Sequence, residues 1–231
     1  MLTTVLPGLV RREPSGSTAK LFFTDLLRNE GGELSDELKI VSVLGSVTRP
    51  GRMHRALYEA LDRTEASTGT TVQRIDLGEA RIGFADGTPL EQLDDDSGRV
   101  IGQIAAADAV ILATPVYRGS LTGALKNLLD LTPVEALRGK PVLIVAMGAT
   151  DHHSLGVERH LRDVLSFFGS LPVPVDVYLT SADFQDGVPG EDAARRLDQG
   201  LEGLLALTRA TGGLGEFGPD PLITRLSRPR S

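Results

Sequence analysis

Asp108-Ala109-Val110-Ile111-Leu112-Ala113-Thr114, followed at once by Pro115-Val116-Tyr117-Arg118-Gly119-Ser120, decides how this sequence folds. After Asp108 the run is apolar at five successive positions, so both faces of an extended segment would be apolar. Such a strand is buried on both faces, as in a parallel sheet covered by helices. Pro115 removes a backbone donor and fixes the chain, and Gly119-Ser120 is turn chemistry. Leu121–Leu131 then carries leucines at helical spacing until Pro133 stops it. The unit reads as strand, loop, helix.

The same alternation extends outward in both directions. Upstream lie a β-rich stretch ending in glycine (Lys39–Gly45), a helix (Arg52–Ala66), a short strand (Val72–Leu77) and a small-residue helix (Gly98–Ala107). Downstream lie a second fully apolar strand (Pro141–Met147), a helix (Ser154–Phe168), a strand (Val173–Leu179) and a last helix (Glu191–Thr208). Five strands alternating with helices imply right-handed crossovers and a parallel sheet. The fold class is α/β, a doubly wound five-stranded parallel sheet, most often ordered 2-1-3-4-5. Pro7-Gly8, Pro14-Ser15-Gly16 and Gly31-Gly32 mark residues 1–38 as an N-terminal extension, expected to be flexible. Residues 39–211 form the domain and 212–231, rich in Gly, Pro and Arg, a C-terminal tail.

Composition sets the outer bounds. The 231 residues carry 24 Lys+Arg against 31 Asp+Glu, a net charge of −7, which argues against nucleic-acid or anionic-membrane partners. Aromatics are 4% and Trp is absent, so base-stacking platforms are not expected. The absence of Cys removes disulfides, thiolate metal sites and a Cys nucleophile, and is compatible with a cytoplasmic location. No run reaches the roughly 20 apolar residues of a membrane span. The basic pair Arg11-Arg12 follows rather than precedes the apolar stretch Leu2–Val10, so no secretory signal is expected.

In an open parallel sheet, ligands bind beyond the carboxyl ends of the strands at the switch point. Three loops lie there. Gly45-Ser46-Val47-Thr48-Arg49-Pro50-Gly51-Arg52 runs into a helix N-terminus, where unpaired N–H groups and the dipole favour an anion. Its hydroxyls and two arginines suit a phosphate dianion, and it lacks both the Walker lysine and Gly-x-Gly-x-x-Gly. In the second loop, amides after Pro115 could meet the edge of a planar heterocycle, with Tyr117 as a wall. The third, Met147-Gly148-Ala149-Thr150-Asp151-His152-His153, offers small residues for close approach. The adjacent histidines beside Asp151 lack a third ligand, so no metal is expected. His54 and His160 fall within predicted helices and read as surface residues.

The run Thr114-Pro115-Val116-Tyr117 with Gly119-Ser120-Leu121-Thr122-Gly123-Ala124-Leu125-Lys126-Asn127-Leu128-Leu129-Asp130 resembles the signature of the NADPH-dependent FMN reductases, which are flavodoxin-like. Gly45-Ser46 with Pro50-Gly51-Arg52, and Gly148-Ala149-Thr150 with His153, resemble that family's other two flavin loops. The resemblance spans Lys39 to Leu207. Within the family the chain is most similar to reductases that supply reduced FMN to two-component monooxygenases, such as those releasing sulfite from alkanesulfonates. Leu137-Arg138-Gly139-Lys140-Pro141-Val142 fits that group too.

The resemblance implies FMN, with NADPH or NADH as co-substrate, a flavin-dependent monooxygenase as possible partner, and a homodimer or homotetramer. It assigns Ser46, Thr48, Arg49, Gly51, Arg52 and Met53 to the phosphate. It assigns Pro115, Val116, Tyr117, Arg118, Gly119 and Ser120 to the isoalloxazine, and Gly148, Ala149, Thr150 and His153 to its pyrimidine side. No residue is required as general acid or nucleophile, because the flavin carries the chemistry. Arg118 stands either at an NADPH phosphate or in solvent. Three positions depart from the family pattern. Thr48 stands where many relatives have Arg, Gly51 where many have Ser, and Leu121 where some monooxygenase partners insert an aromatic; the last makes a retained FMN more plausible. Leucines on more than one face of Leu121–Leu131 agree with a second subunit. The alternatives are a quinone, azo or chromate reductase with bound FMN, a flavodoxin-type electron carrier, and a non-catalytic ligand-binding module.

Overall fold

In a computed structural model, the protein is described over residues 37–46, 51–150, 154–212 and Gly218. Except for Glu37 and Leu38, the expected N-terminal extension lies outside the described residues, as does all of the C-terminal tail but Gly212 and Gly218. The sheet comprises β1 (Lys39–Leu44), β2 (Thr71–Asp76), β3 (Ala109–Pro115), β4 (Pro141–Met147), β5 (Leu171–Pro172) and β6 (Val177–Leu179). Its order is β2-β1-β3-β4-β5, with β6 also pairing β4, and every pairing is parallel. The strand expected over Val173–Leu179 is therefore two short pieces on the same neighbour. Pro172 and Pro174 have no N–H to give a ladder. The carbonyls of Val173 and Pro174 turn instead to the Arg162 guanidinium, at 2.9 and 3.0 Å.

The helices are α1 (Arg52–Thr68), α2 (Ser97–Ala106), α3 (Gly123–Leu131), the single turn α4 (Val134–Leu137), α5 (Ser154–Phe168) and α6 (Glu191–Thr211). Side chains alternate across the sheet. Ile40, Leu44, Ala109, Ile111 and Ala113 face α1 and α6, where Leu57, Leu61, Leu197, Leu201 and Leu204 meet them. Val41, Val43, Val110 and Leu112 face α2, α3 and α5, through Val100, Ile104, Leu125, Leu128 and Leu161. Each fully buried leucine stabilises the fold by about 1.5–3 kcal/mol. Two charged groups finish the edges. Lys140 Nζ donates to the carbonyls of Ile104 and Ala105 at 2.6 and 2.8 Å, closing the C-terminus of α2. Burial lowers its pKa to about 8. Asp108 accepts from the Lys39 amide at 2.8 Å.

Register places the strand ends in one row. Leu44 lies opposite Ala113, Ala113 opposite Val145, and Val145 opposite Val177. Two residues further along each strand come Ser46, Pro115, Met147 and Leu179. The loops after β1, β3, β4 and β6 thus leave the same rim. Beyond β6 the chain makes one turn of 3-10 helix (Ser181–Asp183) and a small antiparallel hairpin, β7 (Phe184–Gln185) with β8 (Val188–Pro189), before α6.

Candidate functional site: a cleft at the strand tips

A cleft of about 340 Å³ opens on that rim, lined by Ser46, Gly51, Arg52, Met53, His54, Pro115, Tyr117, Met147, Gly148, Ala149 and Ser181. It combines three strand-end loops with the N-terminus of α1. Gly51 occupies the N-cap with φ −89° and ψ 158° and supplies no capping side chain, and the first turn of α1 holds no acid. The positive end of the helix is therefore neither capped by the side chain of its own N-cap residue nor offset by a carboxylate of its own turn. Arg52 adds a full charge. Its Nη2 donates to Ser181 Oγ at 3.1 Å, and its guanidinium lies over the Phe184 ring, 5.6 Å from the centroid. These two contacts hold an exposed side chain at the edge of the cleft.

The loop after β3 is built by its own hydrogen bonds. Tyr117 and Ser120 exchange backbone bonds of 2.9 and 3.1 Å across a two-residue turn at Arg118 and Gly119, with φ of 54° and 77°. Both central residues are left-handed, the conformation that a tight hairpin needs and that glycine tolerates best. Thr122 ends the loop. Its Oγ1 accepts from the Leu125 amide at 3.2 Å, so α3 starts at Gly123 rather than at Leu121. The same hydroxyl donates to Gly45 O at 2.7 Å and ties this loop to the one after β1. Gly45 is needed there: a Cβ would lie 2.9 Å from Leu125 Cβ and 3.1 Å from Ala113 O. Its close approach is to α3 and β3, not to a ligand.

The loop after β4 rests on Tyr178. The tyrosine hydroxyl donates to Thr150 O at 2.8 Å, and a Cβ at Gly148 would collide with that hydroxyl. Amide donors are fewer than expected from the sequence. Val116 N–H goes to Met147 O, Gly148 N–H to Leu179 O, and Tyr117 and Ser120 use each other. Among the described residues of these loops, Arg118, Gly119 and Ala149 keep amides that bond to none of these neighbours.

Of the residues assigned from the sequence, the cleft brings together Ser46, Gly51, Arg52, Met53, Pro115, Tyr117, Gly148 and Ala149. Val116 packs on the core beneath it. Arg118, Gly119 and Thr150 are exposed on the flanking loops. Ser120 faces a neighbouring groove and meets His160 Nδ1 at 2.9 Å. Thr48, Arg49 and His153 lie outside the described residues. Sequence reasoning missed Ser181, Met147 and His54 as lining residues and Phe184 as a support. The signal for Ser181 was its place just past the end of β6, a fourth strand tip on the same rim. Among the described residues no group of His, Asp or Glu could hold a metal.

Comparison with known proteins agrees with this arrangement. Residues 38–185 match the model of a family described as NADPH-dependent FMN reductase. The chain is 34% identical over 153 residues to "NADH-dependent FMN reductase SfnF" of Pseudomonas fluorescens, covering 66% of this chain and 82% of the relative. It is 33% identical over 156 residues to "FMN reductase (NADPH)" of Pseudomonas aeruginosa, with the same coverage of 66% and 82%. Among solved structures, the apo form of an NADH:FMN oxidoreductase (EMOB) superposes with a TM-score of 0.64 at 27% identity, over 73% of this chain and 89% of the other. The flavodoxin-like sheet, the cleft at its strand tips and these matches together make the chain a member of the NADPH-dependent FMN reductase family.

Proposed function

We propose that FMN seats in this cleft with its phosphate at the N-terminus of α1, and that the chain passes reduced flavin on to a monooxygenase. The family's chemistry, reduction of FMN with NAD(P)H, makes the chain an oxidoreductase. The residues present fit such a cofactor. A cavity of about 340 Å³ lies within the range of small-ligand sites. The α1 donors and a braced Arg52 suit a dianion, and the small Gly148 and Ala149 leave room for a flat ring. The observation that carries the reading is Arg52, held by Ser181 and Phe184 at the mouth of an uncapped helix.

When bound, FMN supplies a hydride acceptor for the nicotinamide of NAD(P)H. The protein's own contribution is position and charge. Arg52 would neutralise the phosphate end and the Ser46 hydroxyl would orient it, with Ser181 holding Arg52. Tyr117 and Pro115 wall the ring. The Ala149 amide would stand on the side where negative charge develops, and a preorganised donor there would lower the barrier. Arg118 is an arginine kept at φ 54° on an exposed turn beside the cleft. Strain of this kind concentrates at functional positions, and the phosphate of an NAD(P)H co-substrate is the group it suits.

Two further parts of the reading concern partners and place. Leu121 just before α3, and Ala124 and Leu131 on it, are only partly buried, and Phe167 on α5 is 56% exposed, so a homodimer or homotetramer would cover them. A monomer in sedimentation at micromolar concentration would contradict this. No helix among the described residues is long and apolar enough to cross a membrane, and dependence on NAD(P)H fits a cytoplasmic location. The test of function is direct. Purified protein should oxidise NADPH or NADH only when FMN is added, and should emerge colourless from desalting. Absence of flavin-dependent oxidation would overturn the activity. A yellow protein that reduces quinones faster than free FMN would overturn the supply role in favour of a bound-flavin reductase.

A further inference from the structure

Resting on the phosphate seat just described, we infer that Arg196 is a positioning residue that presets Arg52 through the turn between β6 and β7. Arg196 sits on α6, on the far side of that turn from the cleft. Its Nη1 donates to Tyr178 O at 2.6 Å, its Nη2 pairs with Asp183, and its Nε lies 3.0 Å from Asp192 Oδ2. Asp183 in turn accepts from the Thr180 amide at 2.6 Å and from the Thr180 hydroxyl at 3.2 Å, while its carbonyl takes the Gly190 amide at 2.9 Å. One guanidinium therefore fixes both ends of the segment Tyr178–Asp183.

That segment carries Ser181 and runs directly into Phe184, the two residues that hold Arg52. Ser181 Oγ accepts from Arg52 Nη2 and the Phe184 ring lies beneath its guanidinium. A flexible arginine side chain gives up rotamer freedom when it is fixed. Here that ordering is done by the folded protein before any phosphate arrives. Such preorganisation strengthens binding without adding a contact to the ligand. Arg196 touches nothing in the cleft, so its effect runs entirely through Arg52.

The experiment is a thermodynamic cycle read by FMN titration, with riboflavin, which lacks the phosphate, as the control ligand. Arg52→Ala is expected to raise the FMN Kd about 10- to 100-fold. Arg196→Met is expected to raise it about three- to tenfold, and Ser181→Ala about two- to fivefold, each with little change for riboflavin. In the Arg52→Ala background both effects should shrink to less than about 1.5-fold, because nothing remains to be preset. Ser181→Ala keeps the idea testable if Arg196→Met folds poorly. Two results overturn the inference while leaving the seat intact: Arg196→Met leaving FMN affinity within twofold, or weakening it equally with and without Arg52. Equal weakening of riboflavin would show a general structural role and overturn it as well. An unchanged FMN Kd in Arg52→Ala would instead remove the phosphate seat itself.

Discussion

Gly148→Ala, combined with Tyr178→Phe, tests how the loop after β4 is held. A Cβ at position 148 would overlap the Tyr178 hydroxyl and lie 2.9 Å from Tyr178 Cζ. The hydroxyl cannot both stay on Thr150 O, at 2.8 Å, and make room for the methyl. Gly148→Ala should therefore cost about 1–3 kcal/mol in overpacking and about 1 kcal/mol for the broken hydrogen bond, about 2–4 kcal/mol in all. Tyr178→Phe removes only the hydrogen bond and should cost about 1 kcal/mol. If the two acted independently, the double variant would lose about 3–5 kcal/mol. Removing the oxygen also removes the worst overlap, leaving only crowding against the ring carbon. The double variant should therefore lose about 1–2 kcal/mol, less than Gly148→Ala alone. Urea unfolding of the four proteins, free of flavin and at one protomer concentration, gives the comparison. Additivity within about 0.5 kcal/mol, the tolerance for uncoupled sites, would refute the argument that Tyr178 occupies the space glycine leaves.

Three other outcomes follow from single groups. Thr122→Ala removes the α3 cap and the bond to Gly45 O together, so thermal unfolding should occur about 2–8 °C lower; Thr122→Ser should recover most of this, and an unshifted melt would contradict the assigned cap. Arg118→Asn relieves a left-handed arginine and should stabilise by about 1 kcal/mol, while raising the KM for NADPH and leaving FMN affinity alone; a loss of stability would show that the turn needs the arginine side chain. Burial, and then the nearby Glu158 carboxylate, raise the pKa of Asp176 from 3.8 to about 6. Because its folded value lies above the unfolded one, the ionised form opposes folding: the penalty is absent below about pH 4, grows through the interval to about 6 and is complete above it. Asp176→Asn should then add about 1 kcal/mol at pH 8, a figure kept well below the full shift because the group is only partly buried, and nothing at pH 3.5; the same gain at both would refute the assignment.

How far the sequence could be read depends on the range of each interaction. The sheet was legible because Ala109–Ala113 and Pro141–Ala146 are apolar without interruption, which only a strand covered on both faces tolerates. Order followed from the commonest arrangement of five-stranded doubly wound sheets, and the rim followed from order. The break in the fifth strand was written in Pro172 and Pro174, yet without a partner for their carbonyls there was no reason to prefer a break over an edge strand; Arg162 supplies that partner from another helix. Gly45 reads in the sequence as the glycine that ends the first strand; the group that requires it is Leu125, 80 residues away in the chain by the difference of the two numbers. The amide donors after Pro115 were overcounted because their use depends on register, with Val116 placed against the carbonyl of Met147.

These cases share one cause, and it bears on the site. Groups that face the cleft sit at strand tips and helix starts, so they are marked by local sequence: Ser46, Gly51, Arg52, Pro115, Tyr117, Gly148 and Ala149 could all be picked out by position alone. Groups that decide whether a facing residue is ordered come from elsewhere in the chain. Arg52 reads in the sequence as either a phosphate ligand or a solvated cation, with nothing local to separate the two. Its supports, Ser181 and Phe184, come from far along the chain, 129 positions away for the first, and are brought to the rim by β6 pairing with β4. A tip that the strand pattern places on the same edge is therefore a source of supporting residues even when its own loop carries no ligand signature.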